Sequence, residues 1–169
     1  NSAVVTTVHG PVRGRVAGGV ASFKGIRYGA DTAGYRFCPP RPPAPWTEPA
    51  GAFEFGPTAP QDHPDEAVDR ADNPFLRMIG LTDNLPESED CLFVNVWTPG
   101  TASQAREAGD PAPARPVLVW VHSGGYSDNS GSSPSIDGAA LAERHDLVVV
   151  TFNHRLNVLG YAQVVDPLA

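Results

Sequence analysis

The chain has 169 residues, of which 41% are hydrophobic and 18% charged, enough for one domain with a core of its own. Its formal net charge of −7 argues against nucleic acid and against an anionic membrane surface as partners. No apolar run approaches the ~20 residues of a membrane helix. Cys38 and Cys91 are too few for a disulfide scaffold, and their spacing fits no zinc or redox motif. The residues from Asn1 onward hold no signal-like apolar segment, which leaves the compartment open.

In chain order, "AVVTTVHGPVRGRV" places two short β-rich runs around "HGP" and predicts an antiparallel hairpin. "GGVASFKGIRYG" follows as a third strand bounded by glycines. From Asp31 to Pro64 proline excludes helix, while Phe37, Trp46, Phe53 and Phe55 are expected to anchor an ordered loop. A helical stretch is predicted from Asp65 to about Ala71, then a strand in "CLFVNVWTP", then a polar surface loop, "TASQAREAGDPAPAR". "PVLVWVH" and "DLVVVTFN" are continuous apolar runs, expected to be neighbouring parallel strands covered on both faces. Between them "SIDGAALAERH" offers Asp137 as an N-cap and a helix through Arg144. Strand, helix, strand is a βαβ unit, so the fold class is α/β, with a small antiparallel sheet ahead of a mixed central one.

"WVHSGGYSDNSG", from Trp120 to Gly131, ends a strand with two side-chain-free residues, Gly124 and Gly125. Glycine is needed where the backbone takes φ > 0 or is approached closely. Two such residues beyond a strand suggest peptide N–H groups as the working parts, although a bare Gly-Gly is also an ordinary turn.

"VRGRVAGGVASFKGIRYG", "YRFCPPRPPAPW", "FGPTAPQ", "SEDCLFVNVWTP", "PVLVWVHSGGY" and "DGAALAERHDLVVVTFNHRLNVLGY" follow one another in the order of the type-B carboxylesterases. The chain resembles this cholinesterase-like branch of the α/β-hydrolases from about Val4 to Tyr161. The resemblance implies that residues 1–169 are the N-terminal portion of a single α/β-hydrolase domain. It also implies a serine hydrolase of small-molecule carboxylic esters, with a Ser-His-Glu or Ser-His-Asp triad and no cofactor. The family's nucleophile sits in a G-x-S-x-G elbow. No such pentapeptide occurs here; "GYSDN" and "GSSPS" lack the closing glycine, which sets Ser127 and Ser133 aside as nucleophiles. The triad is therefore expected in a C-terminal remainder of the same enzyme, which becomes this chain's partner.

In the family's H-G-G-G loop the second and third glycines supply oxyanion donors, and these positions are Gly124 and Gly125, with Ser123 in place of the first glycine. Serine takes φ > 0 poorly, so this departure bears on the donor geometry. Tyr126 is expected to line the substrate pocket. His122 is read as an anchor of the loop backbone rather than a catalytic base, and His154 as a packing residue. Arg36 and Glu89 fall where the family forms a buried ion pair. The acidic run with Asp62, His63, Asp65 and Glu66 fits no standard metal site and is read as a solvated helix face. Ala59 replaces the family's usual partner of Cys91, which leaves a Cys38–Cys91 bond open. Beside ester hydrolysis stand two alternatives: acyl transfer or cyclisation on the same scaffold, and a non-catalytic cholinesterase-like binding protein.

Overall fold

In the computed structural model, residues 1–61, 74, 85–101, 114–133 and 136–162 are described. The "HGP" turn joins β1 (Ser2–Thr6) to β2 (Pro11–Ala17) in antiparallel register, Thr6 opposite Pro11 and Ser2 opposite Arg15. β3 (Val20–Arg27) returns along β2, and a two-residue β4 (Ala50–Gly51) pairs with Val12 and Arg13 where β3 has moved away. β5 (Phe93–Thr98) pairs antiparallel with β3, and β7 (Val148–Phe152) pairs antiparallel with β5. β6 (Val117–Trp120) lies parallel to β7, joined to it through helix α1 (Ala139–His145), which is the predicted βαβ unit. A short α2 (Asn157–Tyr161) follows. The hairpin and the βαβ pair are parts of one mixed seven-stranded sheet, ordered β1-β2-β3-β5-β7-β6 with β4 off the path.

Alternation assigns the two faces of this sheet. Ala3, Val12, Ala21, Phe23 and Ala52 form one cluster, backed by Val96 and Trp46. Val20, Trp97 and Val149 point the other way and meet Ala142 of α1. Between Phe23 and Ile26 the register slips by a bulge at Gly25, and the freed Gly25 N–H donates to Asn95 Oδ1 at 2.9 Å. Gly10, at φ 151, has no room for a Cβ because Trp46 lies against it, with Trp46 Nε1 donating to the Pro11 carbonyl at 2.7 Å.

Several expectations need correction. β6 is not covered on both faces: Val117, Val119 and Trp120 are 60%, 56% and 46% exposed, because β6 is the last strand of the sheet as described. Trp46 and Phe55 do anchor the proline-rich loop, but Phe37 and Phe53 lie exposed. The N-cap of α1 is Gly138; Asp137 stands one residue earlier and accepts the Ala139 N–H at 2.9 Å. Arg36 meets Glu89 in a two-pronged pair, Nε to Oε2 at 2.7 Å, yet the arginine side chain is 57% exposed, so the pair is not buried. Glu89 is still held below the usual carboxylate range by the hydrogen bond from Arg36. A neighbouring pair, Arg27–Asp90, was not anticipated; Nη2 to Oδ2 measures 2.7 Å. Cys38 and Cys91 are both free thiols, the first exposed and the second buried, so they form no bond with each other. The expected helix at Asp65–Ala71, the acidic run and most of the polar loop after Thr101 lie outside the described residues.

Candidate oxyanion site

β6 carries the chain out at Trp120 into a loop that reaches Gly131 before the run to α1. Three successive residues there have positive φ: Gly124 at 115°, Gly125 at 60° and Tyr126 at 70°. At Gly124 glycine is obligatory, since a Cβ would lie 2.2 Å from both the Asp128 carbonyl oxygen and its Oδ1. At Gly125 the space is open and only the backbone angle resists a side chain. Ser123 keeps a negative φ, so its substitution for a glycine strains nothing. Tyr126 is a bulky residue in the left-handed region, a conformation that persists only where its surroundings impose it.

Those surroundings are hydrogen bonds. The Gly124 carbonyl accepts from Ser127 N at 3.0 Å, Asp128 N at 3.2 Å and Ser127 Oγ at 3.0 Å. The Ser123 carbonyl faces His122 Nδ1 at 2.8 Å, which requires the tautomer with the proton on Nδ1. Asn157 N–H donates to the Tyr126 carbonyl at 2.8 Å, and its Nδ2 to the Ser127 carbonyl at 3.0 Å. Gln61 grips Asn129 from both sides, Nε2 to its carbonyl at 3.0 Å and Oε1 from its N–H at 2.8 Å. Further on, Gly131 N–H donates to Asn153 Oδ1 at 2.8 Å, and the Gly131 carbonyl accepts from Asn95 Nδ2 at 3.2 Å and from Thr151 Oγ1. Asn95, Thr151 and Asn153 are all at most 1% exposed, so this end of the loop is fixed to the sheet by a satisfied buried network.

Four successive peptide N–H groups of the loop, Ser123 to Tyr126, donate to no acceptor among the described residues, and the two glycines lie at their centre. A preorganised pair of free peptide donors at a strand end can bind an oxygen that gains negative charge. His122 serves as the loop anchor expected of it, and its ring stacks on His154 at 4.4 Å between centroids with 8° between planes. Burial lowers the His122 pKa from its ordinary value, more than the Ser123 bond restores, and the His154 charge lowers it further. A low pKa suits a ring that holds a carbonyl rather than a proton shuttle. Tyr126 is 67% exposed and leans on Tyr161 at 4.6 Å, whose hydroxyl lies 3.2 Å from His154 Nδ1.

Asn95, Asn153, Asn157 and Gln61 were missed from sequence. The one available signal was Asn157, a residue type that tolerates the left-handed region, set between Leu156 and Val158; its φ is 52°.

The carboxylesterase family model matches residues 1–168. Para-nitrobenzyl esterase of Bacillus subtilis is 36% identical over 159 residues, covering 94% of this chain and 28% of its own length. Neuroligin-3 of Mus musculus is 30% identical over 183 residues, covering 94% of this chain and 21% of its own. The structure of a thermophilic PNB esterase superposes with a TM-score of 0.77 at 34% identity, over 95% of this chain and 29% of that one. A carboxylesterase of Geobacillus stearothermophilus gives 0.71 at 36% identity. The chain therefore spans under a third of these relatives and carries the first part of the esterase α/β-hydrolase sheet. By sequence and fold it belongs to the carboxylesterase family.

Proposed function

We propose that this chain forms the N-terminal portion of a serine carboxylesterase domain, supplying its oxyanion donors, and that the nucleophile, histidine and acid lie in the remainder of the same protein. The substrate is a small-molecule carboxylic ester. When the serine oxygen attacks the ester carbonyl, negative charge grows on the carbonyl oxygen. Gly124 and Gly125 N–H groups would donate to it there, more strongly in the transition state than in the ground state. No reorganisation is needed at that moment, because the loop is already held from His122, Asn157, Gln61 and Asn153. Tyr126, exposed beside the donors, would line the pocket. The observation that carries this reading is that the N–H groups of the two side-chain-free residues, Gly124 and Gly125, are unspent in a loop whose Ser123, Gly124, Tyr126 and Ser127 carbonyls are all held.

The test is Gly124→Pro in the full-length enzyme with a model ester. Proline removes one donor outright and, with its own φ fixed far from the 115° of Gly124, also displaces the loop there. The expected fall in kcat is about 10²–10³-fold, ~2.7–4 kcal/mol of transition-state stabilisation, with KM much less affected. Circular dichroism confirms that the variant is folded. Unchanged kcat in a folded variant would make the glycines a turn and overturn the oxyanion reading of this loop.

A further inference from the structure

Ser127 has no place as a nucleophile, yet its N–H, hydroxyl and carbonyl are all hydrogen-bonded within the loop and its support. Its N–H and its hydroxyl both donate to the Gly124 carbonyl, each at 3.0 Å. That carbonyl belongs to the peptide unit whose other end is the Gly125 N–H. A trans peptide is planar, with C=O and N–H pointing in opposite directions, and no cis bond occurs among the described residues. Whatever holds the Gly124 oxygen therefore aims the Gly125 N–H the other way. Gly125 has open space around it and a glycine's freedom, so the plane is fixed by the bonds to the Gly124 oxygen, two from Ser127 and one from Asp128 N–H at 3.2 Å.

Ser127 is itself held. Asn157 Nδ2 donates to the Ser127 carbonyl at 3.0 Å, while Asn157 N–H takes the Tyr126 carbonyl at 2.8 Å. Asn157 reaches this position from the segment that follows β7, with a left-handed φ of 52° at the start of α2.

We infer that Ser127 is a positioning residue that orients the Gly125 N–H toward the reacting carbonyl oxygen, and that Asn157 holds Ser127 in place to do so. This rests on the oxyanion reading above. Neither side chain touches the substrate. Their effect is on the angle of a donor, so it belongs to the chemical step and not to ester binding.

The experiment uses the full-length enzyme with p-nitrophenyl acetate, and a trifluoromethyl ketone whose serine adduct carries an oxyanion. Ser127→Ala deletes one of three bonds to the Gly124 oxygen and is expected to lower kcat about two- to tenfold, with KM unchanged. Affinity for the trifluoromethyl ketone should fall by the same factor. Ser127→Thr keeps the hydroxyl and should restore both. Asn157→Gly keeps the positive φ and the backbone bond, and should produce a loss in the same range. If Ser127→Ala and Asn157→Gly leave kcat and ketone affinity unchanged while Gly124→Pro abolishes turnover, Ser127 is not a positioning residue and the oxyanion reading stands. If all three leave turnover intact, both readings fall. Equal weakening of substrate and ketone would indicate general loop disorder and would also overturn the inference.

Discussion

Around β1, β2 and β3 the inward side chains Ala3, Val12, Ala21 and Phe23 are 8%, 2%, 0% and 3% exposed, and Trp46 packs against them from the proline-rich loop. At the other end of the same sheet, β6 is apolar throughout, yet Val117 and Val119, with Val121 just beyond the strand, are 60%, 56% and 62% exposed. A groove of about 330 Å³, lined by Val5, Phe23, Ile26, Val96 and Val148 among others, opens along the face that β6 extends. The first region buries its inward side chains, although the groove reaches across Val5 and Phe23 there; β6 leaves its own side chains exposed. The open end is also the one that delivers the proposed oxyanion loop. On that proposal the donors are local in construction, held by bonds within the chain, while the site they would serve needs a second wall.

The sharpest way to break this contrast is to produce residues 1–169 alone. Exposed apolar strand and an open edge favour aggregation, so the isolated chain is expected to sediment as oligomers without a cooperative unfolding transition. Val117→Lys with Val119→Lys should raise the monomer fraction, since a charged edge resists pairing. A monomer with two-state unfolding in the unaltered chain would mean that β6 needs no cover.

A second measurement compares two tryptophans in the full-length protein. Trp97, 1% exposed on β5, should cost about 3–5 kcal/mol on replacement by alanine. Trp120, 46% exposed here, should cost nearly as much once the remainder of the enzyme covers β6. A cost below about 1 kcal/mol for Trp120→Ala would show that the open face persists in the finished protein.

These contrasts also mark how far the sequence could be read. The "HGP" hairpin, the strand in "CLFVNVWTP" and the parallel pair around α1 followed from local pattern, because alternation and turn chemistry are properties of neighbouring residues. Gly124 and Gly125 were legible for the same reason, since glycine is the residue for positive φ, and at Gly124, with φ 115°, the crowded backbone admits no other. The exposure of β6 was not legible: an apolar run shows what a strand is suited to, not what covers it. Nor were the amide clamps. Gln61 reaches Asn129 across 68 positions and Asn153 reaches Pro57 across 96, and such partners exist only after the sheet has closed. Arg36 and Glu89 were rightly expected to meet, but their burial depends on surface the chain does not itself bring over them.

The smallest expected effect concerns pH. His122 has its pKa lowered in the fold, chiefly by burial and further by His154, with the Ser123 carbonyl and Asp128 acting the other way. The unfolded chain therefore takes up the proton first as pH falls. The loop's stability is complete above the ordinary value of 6.5 and is lost as pH drops through the lower folded-state value. Hydrogen exchange at the loop amides should show earlier opening below that range, and His122→Asn, which cannot titrate, should flatten the dependence. An unchanged pH profile in His122→Asn would place the titrating group elsewhere.

The most direct measurement is the structure of the full-length enzyme with a phosphonate or trifluoromethyl ketone bound to its serine. The adduct oxygen that mimics the oxyanion should lie about 2.7–3.1 Å from both Gly124 N and Gly125 N. It should do so with Gly124 O still held by Ser127. An adduct oxygen bound by other donors, with these two N–H groups facing solvent or another part of the protein, would contradict the assignment of this loop.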